Sequence, residues 1–262
     1  MTSRAQKAEA FRALHAGEPF VIPNPWDAGS ARVLAALGFQ ALATTSSGFA
    51  YTLGRLDGGA TLDEVCAHAT AIDEATDLPV SVDLENGNAT DPTGVAEAIR
   101  RVAAAGAVGA SIEDWSPGAG LYEREEAVER VAAAVEAARG LDVPFVLTAR
   151  AENHIRDNPD LHDTIARLQA FERAGADVLY APGLLTTDEI RTVCSAVSKP
   201  VNVLALGGLS FSEIAEAGAQ RVSVGGGLTW VSVRAFADAA GAIRDGDFSS
   251  LGKGVPLREW FA

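Results

Sequence analysis

Five apolar stretches of this chain end in residues that could do chemistry, and the acids among them are spaced to share a cation. The run Val80-Ser81-Val82-Asp83-Leu84-Glu85 carries two carboxylates two positions apart. Residues so spaced on a strand face the same side, so Asp83 and Glu85 point together while Val82 and Leu84 face the other way. Two carboxylates that close repel unless a cation or a proton lies between them; otherwise they are solvated charges at a strand end. The run Ala110-Ser111-Ile112-Glu113-Asp114 brings Glu113 to the same rim. Asp83, Glu85 and Glu113 then form an all-oxygen set, which suits Mg²⁺ or Mn²⁺. No His/Cys pair accompanies them, which argues against zinc.

Three further strand ends are polar. In Val146-Leu147-Thr148-Ala149-Arg150-Ala151-Glu152, Thr148, Arg150 and Glu152 share one face. Arg150 either neutralises the acids or grips a substrate carboxylate through its planar fork. The stretch Thr44-Thr45-Ser46-Ser47-Gly48-Phe49-Ala50 offers hydroxyl and backbone N–H donors to an anion. Asn202, inside Pro200-Val201-Asn202-Val203-Leu204, needs a partner for its amide, either a ligand or neighbouring backbone.

These ends require strands to carry them. Candidate strands are Phe20–Pro23, Ala41–Thr45, Val80–Glu85, Gly109–Glu113, Phe145–Arg150, Asp177–Tyr180, Val201–Ala205 and Arg221–Val224. Each is followed by a helical stretch: Asp27–Leu37, Leu62–Ala75, Pro92–Ala105, Glu125–Ala138, Leu161–Ala174, Thr187–Ala196, Phe211–Ala217 and Thr229–Arg244. Thr61/Glu64, Thr186/Glu189 and Ser210/Glu213 read as capping boxes, and Asp91-Pro92 as an N-cap with proline in the first turn. Ala-Gly phrases at Gly106, Gly175 and Gly218 end helices just before strands. Strands alternating with helices imply parallel βαβ units. Eight of them close into a (β/α)₈ TIM-type barrel, whose chemistry sits at the C-terminal strand ends. A doubly wound sheet would want a glycine-rich loop after its first strand, where Pro23-Asn24-Pro25-Trp26-Asp27 stands; Gly225-Gly226-Gly227 lacks the dinucleotide spacing.

Composition narrows the function. The 262 residues suit one barrel domain over 1–262, and 48 % hydrophobic residues suffice for its core. A net charge of −14 disfavours nucleic acid and anionic membranes as partners. It also means that an acidic substrate must be held by local positive charge. Two cysteines, Cys66 and Cys194, lie far apart on helical stretches and read as apolar filler in a reducing compartment. With no apolar signal core and no run long enough to span a bilayer, the expectation is a soluble cytoplasmic protein.

The order and strand-end placement of these motifs resemble the phosphoenolpyruvate mutase/isocitrate lyase superfamily over nearly the whole chain. The matching pieces are Ser47-Gly48, Leu53-Gly54-Arg55-Leu56-Asp57, Asp83-Leu84-Glu85, Ile112-Glu113-Asp114, Ala149-Arg150-Ala151-Glu152 and Pro200-Val201-Asn202. The resemblance implies Mg²⁺ held largely through water by Asp83, Glu85 and Glu113, with Asp57 in support. It implies that Ser47, Gly48 and the adjoining Phe49, together with Arg150 and Asn202, bind a 2-oxo acid. Arg150 and Asp57 are then the catalytic candidates, and the shared step is stabilisation of a pyruvate-type enolate. Family members commonly form tetramers that exchange a C-terminal helix, and the apolar tail Val255–Phe261 either packs on such a partner or folds back on its own barrel.

The chain also departs from the family. The Lys-Lys/Arg-Cys-Gly-His loop of the C–C lyases and the Asn-bearing gating loop of the mutases are both replaced by Trp115-Ser116-Pro117-Gly118-Ala119-Gly120-Leu121-Tyr122. The expectation is a Mg²⁺-dependent lyase or hydrolase of a small, oxaloacetate-like 2-oxo acid. The alternatives are phosphonopyruvate or carboxyphosphonate P–C chemistry, and a 2-oxo-acid-binding protein with little turnover.

Overall fold

Side-chain alternation along the strands sorts this chain into two environments. Val82, Ile112, Leu147, Leu179, Val203 and Val222 are buried in one apolar cluster with helix residues such as Val95 and Ile99. The intervening positions, among them Asp83, Ser111, Thr148, Arg150, Asn202 and Ser223, face inward and are polar. Greasy residues thus glue strands to helices, and the interior is left for polar contacts.

The computed structural model describes residues 2–252 and 254–261. The first half contains α1 (Arg4–Leu14), β1 (Phe20–Ile22), α2 (Ala28–Ala36), β2 (Leu42–Ala43), α3 (Ser46–Thr52), α4 (Leu62–Ala75), β3 (Val80–Asp83) and α5 (Pro92–Ala104). Then come β4 (Gly109–Glu113), a hairpin of β5 (Trp115–Ser116) and β6 (Gly120–Leu121), α6 (Arg124–Arg139), β7 (Val146–Arg150), α7 (Leu161–Arg173) and β8 (Val178–Tyr180). The chain finishes with α8 (Thr187–Ala196), β9 (Val201–Leu204), α9 (Phe211–Glu216), β10 (Arg221–Ser223), α10 (Gly227–Arg244) and α11 (Leu257–Trp260).

Eight strands form one parallel sheet in the order β1-β10-β9-β8-β7-β4-β3-β2. The Ala43 N–H donates to the Pro23 carbonyl at 3.1 Å, linking the two ends of the sheet into a (β/α)₈ barrel. All eight expected strands and their helices are present, with most boundaries shifted by a residue or two. The three expected capping boxes form, as does the Asp91 cap. Gly106, Gly175 and Gly218 have φ of 106°, 102° and 109°, which glycine adopts without the steric cost of a Cβ.

Three elements were not expected. Helix α1, opened by a Ser3/Gln6 capping box, lies across the N-terminal end of the barrel. There Phe11 is buried with Phe20, Ile22, Val108, Val146 and Val178. Gly109 permits this approach, since a Cβ there would lie 2.7 Å from Phe11 Cε1. Helix α3 starts directly after β2, capped by Thr45. The hairpin β5–β6 stands over the barrel mouth.

Within this single chain the tail helix α11 lies against α2, with the Arg32 guanidinium 5.6 Å from the Phe261 ring centroid. The uncovered element is α10, in which only Thr229 is buried, while Phe236, Val231 and Trp230 are 70 %, 67 % and 46 % exposed. Cys66 and Cys194 are half-buried on α4 and α8 against the main core. Burial pushes the Cys194 thiol up to about 11, so it stays protonated. No helix among the described residues is long and apolar enough to cross a membrane.

Candidate active site

A cavity of about 280 Å³ opens at the C-terminal ends of the strands. Asp57, Asp83, Glu85, Glu113, Arg150 and Ser47 all line it, so six of the expected residues converge. Asp83 gets there by strand alternation, but Glu85 does not. Strand β3 ends at Asp83, and Glu85 turns into the cavity with φ of 51°. That left-handed conformation is costly for a residue with a Cβ. The Glu85 carbonyl is held by the Glu113 N–H at 2.8 Å.

Arg150 is the hub. Its Nε and Nη2 donate to Glu152 Oε1 at 3.0 and 2.7 Å, and Nη1 donates to Asp83 Oδ1 at 3.2 Å. Nη2 also lies 3.0 Å from Glu113 Oε2. The Tyr180 ring sits beside the guanidinium, 5.0 Å from centroid to Cζ. Burial opposes the arginine's charge, but Glu152, Glu113 and Asp83 outweigh it and keep Arg150 protonated.

The acids show the strain of crowding. Burial, then Asp83 and Asp57, push the Glu85 carboxyl up to about 7. Burial raises Glu113 well above the usual range, against the pull of Arg150. Asp57 is raised by burial, partly countered by a hydrogen bond from Ser46. These acids gain from a positive charge among them. Among the described residues no three His, Cys, Asp or Glu side chains sit close enough to grip a bare ion. The all-oxygen set and the mutual repulsion of these acids are compatible with an oxygen-seeking divalent cation among them.

Three expected substrate residues lie elsewhere. Because residues 46–52 form a helix, Gly48 and Phe49 turn away from the cavity. Phe49 is in the core, stacked on the His68 ring at 3.9 Å. The Gly48 N–H is capped by Thr45 Oγ1, and a Cβ there would lie 2.6 Å from Thr229 Oγ1 and from Thr45 Cγ2. Its glycine has a packing reason. Asn202 lies one layer below the mouth, donating to Ser223 Oγ at 2.9 Å and accepting from Arg221 Nε at 2.8 Å. It is part of the barrel's internal network.

Arg150 was the only basic residue expected near the acids, and the structure adds two. Arg221 is buried beneath the site, donating to Thr148 Oγ1 at 2.9 Å and meeting His15 Nε2 at 3.2 Å. Arg156, just after the 3-10 turn Asn153–Ile155, lines the cavity itself. It lies over the Trp115 ring, 3.6 Å from the centroid. The hairpin bearing Trp115 is braced by Asp114 and Arg167. Arg167 Nη1 bonds Asp114 Oδ2 at 3.1 Å and the Tyr122 carbonyl at 2.9 Å. Asp114 Oδ1 accepts the Glu152 N–H at 2.8 Å. Asp114 thus ties the hairpin to the Arg150 cluster.

Known proteins agree with this architecture. The family model described as Phosphoenolpyruvate phosphomutase matches residues 11–244. Oxaloacetate decarboxylase of a Bradyrhizobium species is 30 % identical over 99 % of this chain and 92 % of its own length. The 2-methylisocitrate lyase of Escherichia coli is 31 % identical over 74 % of this chain and 68 % of its own. A solved structure from Burkholderia cenocepacia, described as a lyase/mutase, is 52 % identical with a TM-score of 0.95, covering 99 % of this chain and 96 % of that one. The chain belongs to the phosphoenolpyruvate mutase/isocitrate lyase superfamily. It is an enzyme of that carbon–carbon or carbon–phosphorus bond-changing type.

Proposed function

We propose that this enzyme is a divalent-cation-dependent lyase or hydrolase of a small 2-oxo acid of oxaloacetate type, with Mg²⁺ as its ion and Mn²⁺ as a substitute. The observation that carries the reading is the convergence of Asp57, Asp83, Glu85 and Glu113 with Arg150 in one cavity. The Bradyrhizobium relative's name, oxaloacetate decarboxylase, supports it.

Asp83, Glu85 and Glu113 would hold the ion's water shell, with Asp57 closing it from the loop after α3. The bound cation supplies positive charge where negative charge develops on the oxo oxygen as the bond beside it breaks. Arg150 keeps the carboxylates aligned and adds a fixed positive charge to the same field. Ser47 offers its hydroxyl to the substrate's carboxylate or oxo group. Tyr180, whose phenol burial pushes up to about 12, stays protonated at neutral pH and is a hydrogen-bond donor on the cavity wall.

Assembly belongs to the same proposal. We place the subunit contact on α10 rather than on the tail, because α10 is the apolar helix its own barrel leaves bare.

The test is turnover with Mg²⁺ across oxaloacetate, 2-methylisocitrate and phosphonopyruvate, with calorimetry for binding without turnover. Cleavage of oxaloacetate is expected. Turnover of phosphonopyruvate alone would transfer the site to P–C chemistry, and binding without turnover would make it a 2-oxo-acid receptor. Failure to bind any of them would refute the reading.

A further inference from the structure

We propose that Arg156, lying over the Trp115 ring, is the receptor for a second acidic group of the substrate. The cavity would then select 2-oxo acids that carry two anionic groups over those that carry one. This deepens the 2-oxo acid reading above and rests on it.

The argument starts from which cations have donors to offer. Arg150 is engaged: Nε, Nη1 and Nη2 all bond carboxylates of the protein. An anion reaching it must displace one of these. Arg156 is different. Its Nη2 lies 3.2 Å from Glu152 Oε2 and 3.9 Å from Glu113 Oε1. The shorter contact is an ion pair without hydrogen-bond alignment, since neither Glu152 Oε2 nor Arg156 Nε has a hydrogen-bond partner among the described residues. Glu152 is already served on its other oxygen by two N–H groups of Arg150. Arg156 is therefore not needed as the sole counter-charge of Glu152, and its side chain keeps 32 % of its surface exposed at the cavity.

The second argument is placement. Arg156 and Ser47 line the same cavity. A 2-oxo acid with its oxo end at Ser47 and the acidic cluster can present a further acidic group to Arg156. Contact with the Trp115 ring, 3.6 Å from its centroid to Arg156 Cζ, restrains the guanidinium, so little freedom is lost when an anion docks. The hairpin that replaces the family's lyase loop supplies this platform.

The experiment compares oxaloacetate with pyruvate, in Mg²⁺, on the wild type, Arg156→Gln and Trp115→Leu. Kd comes from calorimetry, KM from initial rates where there is turnover, and the fold is checked by melting. The wild type is expected to prefer oxaloacetate. Arg156→Gln should weaken oxaloacetate about 30-fold, the scale of a lost charged hydrogen bond, and pyruvate by less than about 3-fold. Trp115→Leu should move the same ratio in the same direction by a smaller factor. If Arg156→Gln does not fold, Arg156→Lys replaces it, since an ammonium keeps the charge but loses the planar fork; a selective loss of oxaloacetate is expected there too. Equal losses for both acids would make Arg156 a counter-ion of Glu152 and overturn the proposal. A wild type that binds pyruvate as well as oxaloacetate would overturn it too, leaving the 2-oxo acid reading intact. A wild type that binds neither would overturn both.

Discussion

Arg150 and Glu152, two residues apart at the end of β7, are joined by a fork in which Nε and Nη2 both donate to the same buried oxygen, Oε1, at 3.0 and 2.7 Å. This relationship gives Arg150 a structural duty alongside any duty toward substrate. Breaking a buried ion pair by removing one partner leaves an uncompensated charge, which typically costs about 3–5 kcal/mol. Arg150→Met should therefore lower stability on that scale, and Arg150→Lys by roughly half of it, because an ammonium cannot reproduce the fork. Denaturant melts of the two variants check this. An unchanged midpoint for Arg150→Met would show that the cluster is not held by its arginine.

The carboxylates give a second expectation. Asp83→Ala and Glu113→Gln should each weaken Mg²⁺ binding by about 10–100-fold, the effect typical of groups that act on a metal through its shell. Calorimetric titration with Mg²⁺ reads this directly. Chelation with EDTA should abolish turnover, and Mg²⁺ or Mn²⁺ should restore it. Wild-type Mg²⁺ affinity in Asp83→Ala would remove the acidic cluster from the metal's neighbourhood.

A third concerns acid stability. His68 is stacked on Phe49 and bonded to the Trp26 carbonyl at 3.1 Å, and burial lowers its pKa to about 4. The unfolded chain binds a proton near pH 6.5, while the folded one stays neutral until about pH 4. Stability from this group is thus complete above pH 6.5 and is lost as pH falls toward 4, by about 2 kcal/mol at pH 5. His15, lowered to about 3 by burial and Arg221, extends the slope further into acid. His68→Gln should flatten the stability–pH curve between pH 6.5 and 4. An unaltered slope in that variant would mean that His68 is already charged in the folded state.

Glycine 48 offers a clean separation of packing from ligand binding. An added Cβ would meet Thr229 Oγ1 and Thr45 Cγ2 at 2.6 Å. Gly48→Ala should therefore destabilise by about 1–3 kcal/mol, the usual cost of overpacking. A variant of wild-type stability but poor substrate affinity would return Gly48 to the substrate.

The last expectation is oligomeric. The exposed Trp230, Val231 and Phe236 on α10 should be covered by another subunit, so the wild type should sediment above the monomer mass at micromolar concentration. Phe236→Asp should shift it toward monomer. A wild-type monomer would show that α10 is simply bare.

Much of this was legible in advance, for identifiable reasons. The barrel was readable because eight strands and eight helices each kept their period, and because helix starts such as Thr61/Glu64 carry a cap that works locally. Asp83 and Glu113 were readable from strand alternation alone. Glu85 was placed in the cavity by the wrong geometry: alternation does not continue past Asp83, and a left-handed residue does the turning. Gly48 and Phe49 were misplaced because Ser46–Thr52 looks like a Ser/Gly turn, and one threonine cap makes it a helix. Arg156 was invisible because the chain from Ala151 to Asp160 has no regular period, and only the fold brings Arg156 over Trp115. The tail's apolar residues were readable as a contact surface, but hydrophobicity does not say which molecule supplies the partner.

The position of α1 has a consequence for traffic. With Phe11 plugging the far end of the barrel, the chamber is a blind well, and substrate and products share the rim beneath the Trp115 hairpin. A molecule that has reacted must clear that rim before the next can descend. Products that retain an acid group should therefore compete with substrate for the doorway as well as for the floor.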